Sequence, residues 1–167
     1  MADIIVKDED LQRAAAEGMD EFLSVFVDEY RKVLGGDVCS QNMSALNGYQ
    51  HSLLAYKIFQ KEICDGGFVQ LIQNGYGGYI FDNPFAKSMR VFGAAQLSKL
   101  VYKAKKIFDE NRAELEKETT DEEFHAMYVD FEAFDELEEL YFEIEEETTA
   151  AIAHFVDENI EQFAKVC

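Results

Sequence analysis

The chain of 167 residues sets 34 Asp and Glu against 15 Lys and Arg, for a formal net charge of −19, yet 48% of it is apolar and it holds 14 Phe and 8 Tyr. A protein that neutralises phosphates needs a basic face, so this balance excludes most nucleic-acid binders, and the aromatic content excludes an acidic disordered chain. The length suits one folded, soluble domain with a sizeable core.

Three cysteines, Cys39, Cys64 and Cys167, contain no C-x-x-C pair and suggest neither a disulfide framework nor a zinc site. The N-terminus lacks a basic, then apolar, leader, and no run of about 18 apolar residues follows, so the cytosol is the expected compartment. The charge is uneven. Residues 1–37 hold 10 acids and 4 bases, residues 38–108 hold 3 acids and 8 bases, and residues 109–167 hold 21 acids and 3 bases. Any functional reading of the acidity therefore belongs to the last third.

Pro84 is the only proline, and apolar residues recur at helical spacing. The expected fold is all-α: a single domain over residues 1–167, a bundle of about six to eight amphipathic helices. Ile4-Ile5-Val6 can be extended. An N-terminal helical arm over about 8–36 breaks near Gly18 and stops at Gly35-Gly36. Ser44 is the expected N-cap of a helix carrying Leu46, Tyr49, Leu53, Tyr56, Phe59 and Ile63, which Asp65-Gly66-Gly67 ends. A short helix from Phe68 to Gln73 closes on Asn74-Gly75, with Gly77-Gly78 as loop. Asp82-Asn83-Pro84 opens helices bearing Phe85, Met89 and Phe92, then Leu97, Leu100, Val101, Ala104, Ile107 and Phe108. Thr120-Asp121-Glu122-Glu123 reads as a capping box. The stripe Phe134, Leu137, Tyr141, Ile144, Thr148, Ala151, Phe155, Ile160 and Phe163 fits one long helix or two meeting near Glu147.

Chemical motifs are few. The glycines between 66 and 78 are not followed by G-K-[S/T], and their places at the ends of apolar stripes read as helix termination. Glu122-x-x-His125 has the spacing of a di-iron half-site, but such sites need two, and neither His51 nor His154 has a Glu three residues before it. A metal-dependent enzyme built on Glu122 and His125 is the weakest reading. No catalytic residue, cofactor or metal is expected. Cys64, beside Ile63, and Tyr56, Tyr102, Tyr128 and Tyr141 read as core residues.

The acids Glu132, Asp135, Glu136, Glu139, Glu143, Glu146 and Glu147 differ in kind, because they lie largely opposite the Phe134 stripe. Carboxylates at i, i+4 sit about 6 Å apart along the axis and cost a few tenths of a kcal/mol per pair. One reading is a solvated face partly neutralised by Lys99, Lys103 and Lys106 on another helix. The sharper one is a row of carboxylates that attracts a basic, DNA-binding surface.

The stretch from Glu62 to Gly75 resembles the Glu-x-x-x-Gly-Gly-Phe-x-Gln…Asn motif of the bacterial acidic DNA-mimic protein family, matched by Gly66, Gly67, Phe68, Gln70 and Asn74. Leu71 stands where the motif has an aromatic. The region from Phe134 to Asn159 is similar to the C-terminal part of the same domain, and the likeness covers about residues 45–163. It implies an all-helical, often self-associating protein, hence a homodimer, whose surface acids occupy the DNA site of a transcriptional regulator. The motif residues themselves read as turn and packing residues. The expected function is thus a non-enzymatic acidic binding protein for a basic partner, binding neither nucleic acid nor membrane. An immunity or antitoxin-type inhibitor of a basic toxin is the alternative.

Overall fold

The computed structural model describes Met1 and residues 3–167. The elements run β1 (Ile5–Val6), α1 (Asp8–Glu17), α2 (Met19–Leu34), a 3-10 turn (Met43–Ala45), α3 (Gly48–Gln73), α4 (Gly77–Phe81), α5 (Phe85–Val91), α6 (Ala95–Glu116), α7 (Asp121–Asp130), α8 (Ala133–Glu158), α9 (Ile160–Phe163) and β2 (Lys165–Val166). The fold is all-α. The described residues form nine helices rather than six to eight, because α4 and α9 are single short turns of five and four residues.

Local chemistry sets most boundaries. Gly35 takes the left-handed conformation and returns its N–H to Arg31, stopping α2. Thr120 and Glu123 cap α7 reciprocally, as the capping box requires. Ser44, by contrast, lies in the 3-10 turn, and α3 begins three residues later than its expected cap implies. Asn47 is the N-cap, accepting the Gln50 N–H at 2.8 Å while Gln50 Oε1 accepts the Asn47 N–H at 2.9 Å. Two reciprocal bonds outcompete the lone serine, and Leu46 is buried ahead of the helix. Gly77 belongs to α4, not to a loop: a Cβ there would lie 2.8 Å from the Phe108 ring, so the missing side chain admits that ring.

Asp65-Gly66-Gly67 does not end α3. Gly67 alone departs from helical geometry, with φ 81° and ψ −169°, and the helix resumes at Phe68. The C-terminal stripe runs without interruption along α8 as far as Phe155, while its last members, Ile160 and Phe163, lie on α9, so the break falls at Asn159 rather than near Glu147.

One continuous core runs from Ile4 to Ala164. Its centre is aromatic: Phe68 stacks on Phe134 at 5.0 Å, and Phe59 meets Tyr141 edge-on at 5.1 Å, fastening α8 to α3. The two ends of the chain are clasped by parallel β1 and β2, with Ile5 opposite Lys165. The N-terminal arm joins the same core, since Tyr30 donates its hydroxyl to the Phe163 carbonyl at 2.9 Å.

Candidate functional site

Helix α8 spans 26 residues and holds ten acids with no Lys or Arg. Its buried stripe, Phe134, Leu137, Tyr141, Ile144, Thr148 and Ile152, faces the core. Residues half a turn away must then face water. All seven acids of the expected row, Glu132, Asp135, Glu136, Glu139, Glu143, Glu146 and Glu147, are exposed. None of them lies in an ion pair among the described residues.

From Glu132 to Glu147 is about 22 Å along the axis, so the row carries roughly one charge per 3–4 Å. A single DNA strand carries one per about 3.4 Å. The face therefore matches one strand in linear charge density.

The basic stripe does not neutralise it. Lys99, Lys103 and Lys106 are exposed on α6, which packs against α8, but they pair with no carboxylate among the described residues. Other cations of α6 do find partners: Lys105 pairs with Asp109 at 2.7 Å, and Arg112 reaches both Glu116 on its own helix and Asp82 just after α4. The helices meet through their apolar faces, which points both polar faces outward.

Two acids of α8, Glu138 and Glu145, play a different part. Each lies four residues after an inward aromatic, Phe134 or Tyr141, a spacing that already places them on the shoulder of the buried stripe. Glu138 Oε2 accepts the Phe68 N–H at 2.8 Å, where α3 restarts after Gly67. Burial is the main cause that raises the Glu138 pKa above its ordinary value, with Asp135 adding to it and the Phe68 N–H opposing it. Glu145 accepts the Cys64 thiol at 3.1 Å. Shielding of the sulfur from water, then the hydrogen bond and charge of Glu145, push that thiol up to about 12. Cys64 is exposed, not a core residue as its apolar neighbour suggested.

The Gly-Gly-Phe segment seats this helix. A Cβ on Gly67 would collide with the Glu138 carboxylate, and Tyr128 of α7 donates its hydroxyl to the Gly66 carbonyl at 2.8 Å. Gln70 and Asn74 converge on Glu62, donating to its carboxylate at 2.6 Å and at 3.1 to 3.2 Å. Glu62, 8% exposed, is tied by these amides across the Gly67 break. Phe68 is fully buried against Phe134. These residues position the acidic helix and lie outside its exposed face. Sequence periodicity did not single out Glu62, although it opens the matched motif.

Tyr56 and Tyr141 are core residues, their hydroxyls 3.1 Å apart, and Tyr56 also bonds Thr149 at 2.7 Å. Tyr102 is not: it is 51% exposed on α6. Glu122 and His125 are both exposed on α7, with the His125 ring bonded to the Asp121 carbonyl at 2.6 Å. No group of three or more His, Cys, Asp or Glu side chains among the described residues is arranged to hold a metal ion. No described helix is long and apolar enough to cross a membrane.

Residues 44–159 match the family model described as DMP19-like protein. The chain is also 32% identical over 127 residues to the DNA mimic protein DMP19 of Neisseria meningitidis serogroup B, covering 75% of this chain and 77% of that protein. The family match takes in the Gly67 seat and the whole of the acidic helix it carries, and with the identity to this relative it shows that the chain belongs to the family of DMP19-like proteins.

Proposed function

We propose that this protein is a non-enzymatic, cytoplasmic DNA mimic whose α8 face occupies the DNA-binding surface of a basic protein, a transcriptional regulator being the partner class. The observation that carries the reading is the exposed row from Glu132 to Glu147, which has the linear charge density of one DNA strand and no cationic partner among the described residues. The relative described as a DNA mimic supports it independently.

A row of carboxylates on a packed helix is preorganised. Its mutual repulsion is met during folding, so a basic groove meets it with little further ordering. Approach of opposite charges also speeds encounter and is weakened by salt, since screening acts over about 8 Å at physiological ionic strength.

The test is capture from host lysate at low salt, eluted in salt steps with and without competitor duplex DNA. A DNA-binding protein released by both salt and DNA is the expected result. The triple variant Glu139→Gln, Glu143→Gln, Glu146→Gln should capture at least about tenfold less of it, as loss of close charge pairs worth more than about 1.4 kcal/mol in total requires. Full capture by that variant, with unchanged helicity, removes α8 as the binding face.

A further inference from the structure

Of the 14 phenylalanines, Phe142 alone is exposed, at 52%. It sits within the acidic half of α8, and the four positions adjoining it on the helix surface, 138, 139, 145 and 146, are all Glu. The ring touches the core only obliquely, 6.2 Å from Tyr141 with planes at 54°. Folding gains little from it there, and solubility alone would favour another polar side chain.

The four glutamates divide into two pairs. Glu138 and Glu145 are half-buried and turned toward α3, where they hold the Phe68 N–H and the Cys64 thiol. Glu139 and Glu146 are exposed, one turn before and one turn after the ring, and neither lies in an ion pair among the described residues. The exposed surface at Phe142 is thus an aromatic face between two free carboxylates.

We propose that Phe142 is an arginine-reading contact: the partner's side chain that docks there is a guanidinium, stacked on the ring and hydrogen-bonded at its edges by Glu139 and Glu146. A row of charges alone attracts lysine and arginine alike. A planar, weakly hydrated guanidinium stacks on a ring while its N–H fork bonds carboxylates, whereas an ammonium holds its water more tightly and lacks the plane. This inference rests on the acidic face being a protein-binding surface and names the chemistry of the group it selects.

The test uses nona-arginine and nona-lysine peptides, titrated calorimetrically at fixed ionic strength against the wild-type chain and the variants Phe142→Ala, Phe142→Leu and Phe142→Tyr. Carboxylates favour arginine by themselves, so the readout is the change in the arginine-to-lysine affinity ratio. Phe142→Ala should lower that ratio about fivefold and leave nona-lysine affinity within about twofold. Phe142→Tyr should keep the ratio. Phe142→Leu should lose it, which separates stacking from simple apolar contact. An unchanged ratio in Phe142→Ala, or a wild-type ratio in Phe142→Leu, overturns the proposal. If the triple Gln variant at 139, 143 and 146 loses both peptides while Phe142→Ala changes nothing, the binding face stands and only the arginine reading falls. Wild-type binding of neither peptide removes both.

Discussion

Helices α3 and α8 are each 26 residues long, and they use that length in opposite ways. α3 has 15 buried residues spread around its circumference and a break at Gly67; α8 has nine, confined to one stripe, and runs without interruption. The acids of α3, Glu62 and Asp65, are two, against ten on α8. A central helix must satisfy neighbours on every side and bends to do so. A peripheral helix has only one face constrained by packing, which leaves the other free to carry a charge pattern. Besides their aromatic joint, the two are coupled where the Glu138 carboxylate of α8 fills the space left by Gly67 of α3 and caps the restart at Phe68.

The coupling can be broken in graded ways. Phe68→Ala empties the aromatic joint between the helices and should cost about 3–5 kcal/mol in denaturant unfolding; a loss below 1 kcal/mol would mean the joint is slack. Gly67→Ala meets both a positive φ and the Glu138 carboxylate, so about 2–4 kcal/mol is expected. Gly75→Ala, also at positive φ but with open space around it, should lose less, about 1 kcal/mol. Equal losses at the two glycines would show that backbone conformation, not the seat for Glu138, is what matters.

Glu138 sharpens the comparison further. Glu138→Ala leaves the Phe68 N–H without its acceptor and should cost about 1–3 kcal/mol. Glu138→Gln retains an acceptor and removes a desolvated charge. Because the folded pKa of Glu138 is raised, its favourable contribution is fully present below the ordinary value of 4.5 and is lost as pH rises through the folded pKa. Glu138→Gln should therefore be more stable than wild type at neutral pH, with the gain vanishing near pH 4, as read by thermal melts across that range. The smallest effect belongs to the outer row. The triple Gln variant at 139, 143 and 146 should change stability by only a few tenths of a kcal/mol, in the stabilising direction, since it removes like-charge i, i+4 and i, i+3 pairs.

Much of this architecture was legible because it is local. Gly35 stops α2, Thr120 and Glu123 open α7, and the period of Phe134, Leu137, Tyr141 and Ile144 assigns one face of α8 to the core and, by exclusion, the other to its acids. The misreadings came where a competing group lay elsewhere in the chain or nearby in another role. Ser44 lost its place to Asn47, whose partner Gln50 completes a box. Gly67 marks a break but not an end, because Glu138, 71 residues later, supplies the acceptor that lets the helix restart. Cys64 looked apolar from its neighbours and is exposed beside Glu145.

The amino-acid sequence by itself determined the helical class, most helix boundaries and the outward row of carboxylates on α8, because capping, glycine conformation and a 3.6-residue period act within a few residues. Only the tertiary structure decided which charges remain without partners. Whether Lys99, Lys103 and Lys106 reach the acids of α8 depends on how α6 and α8 face each other. They pack through their apolar stripes, so the two charged faces point away from the shared contact and no ion pair joins them among the described residues.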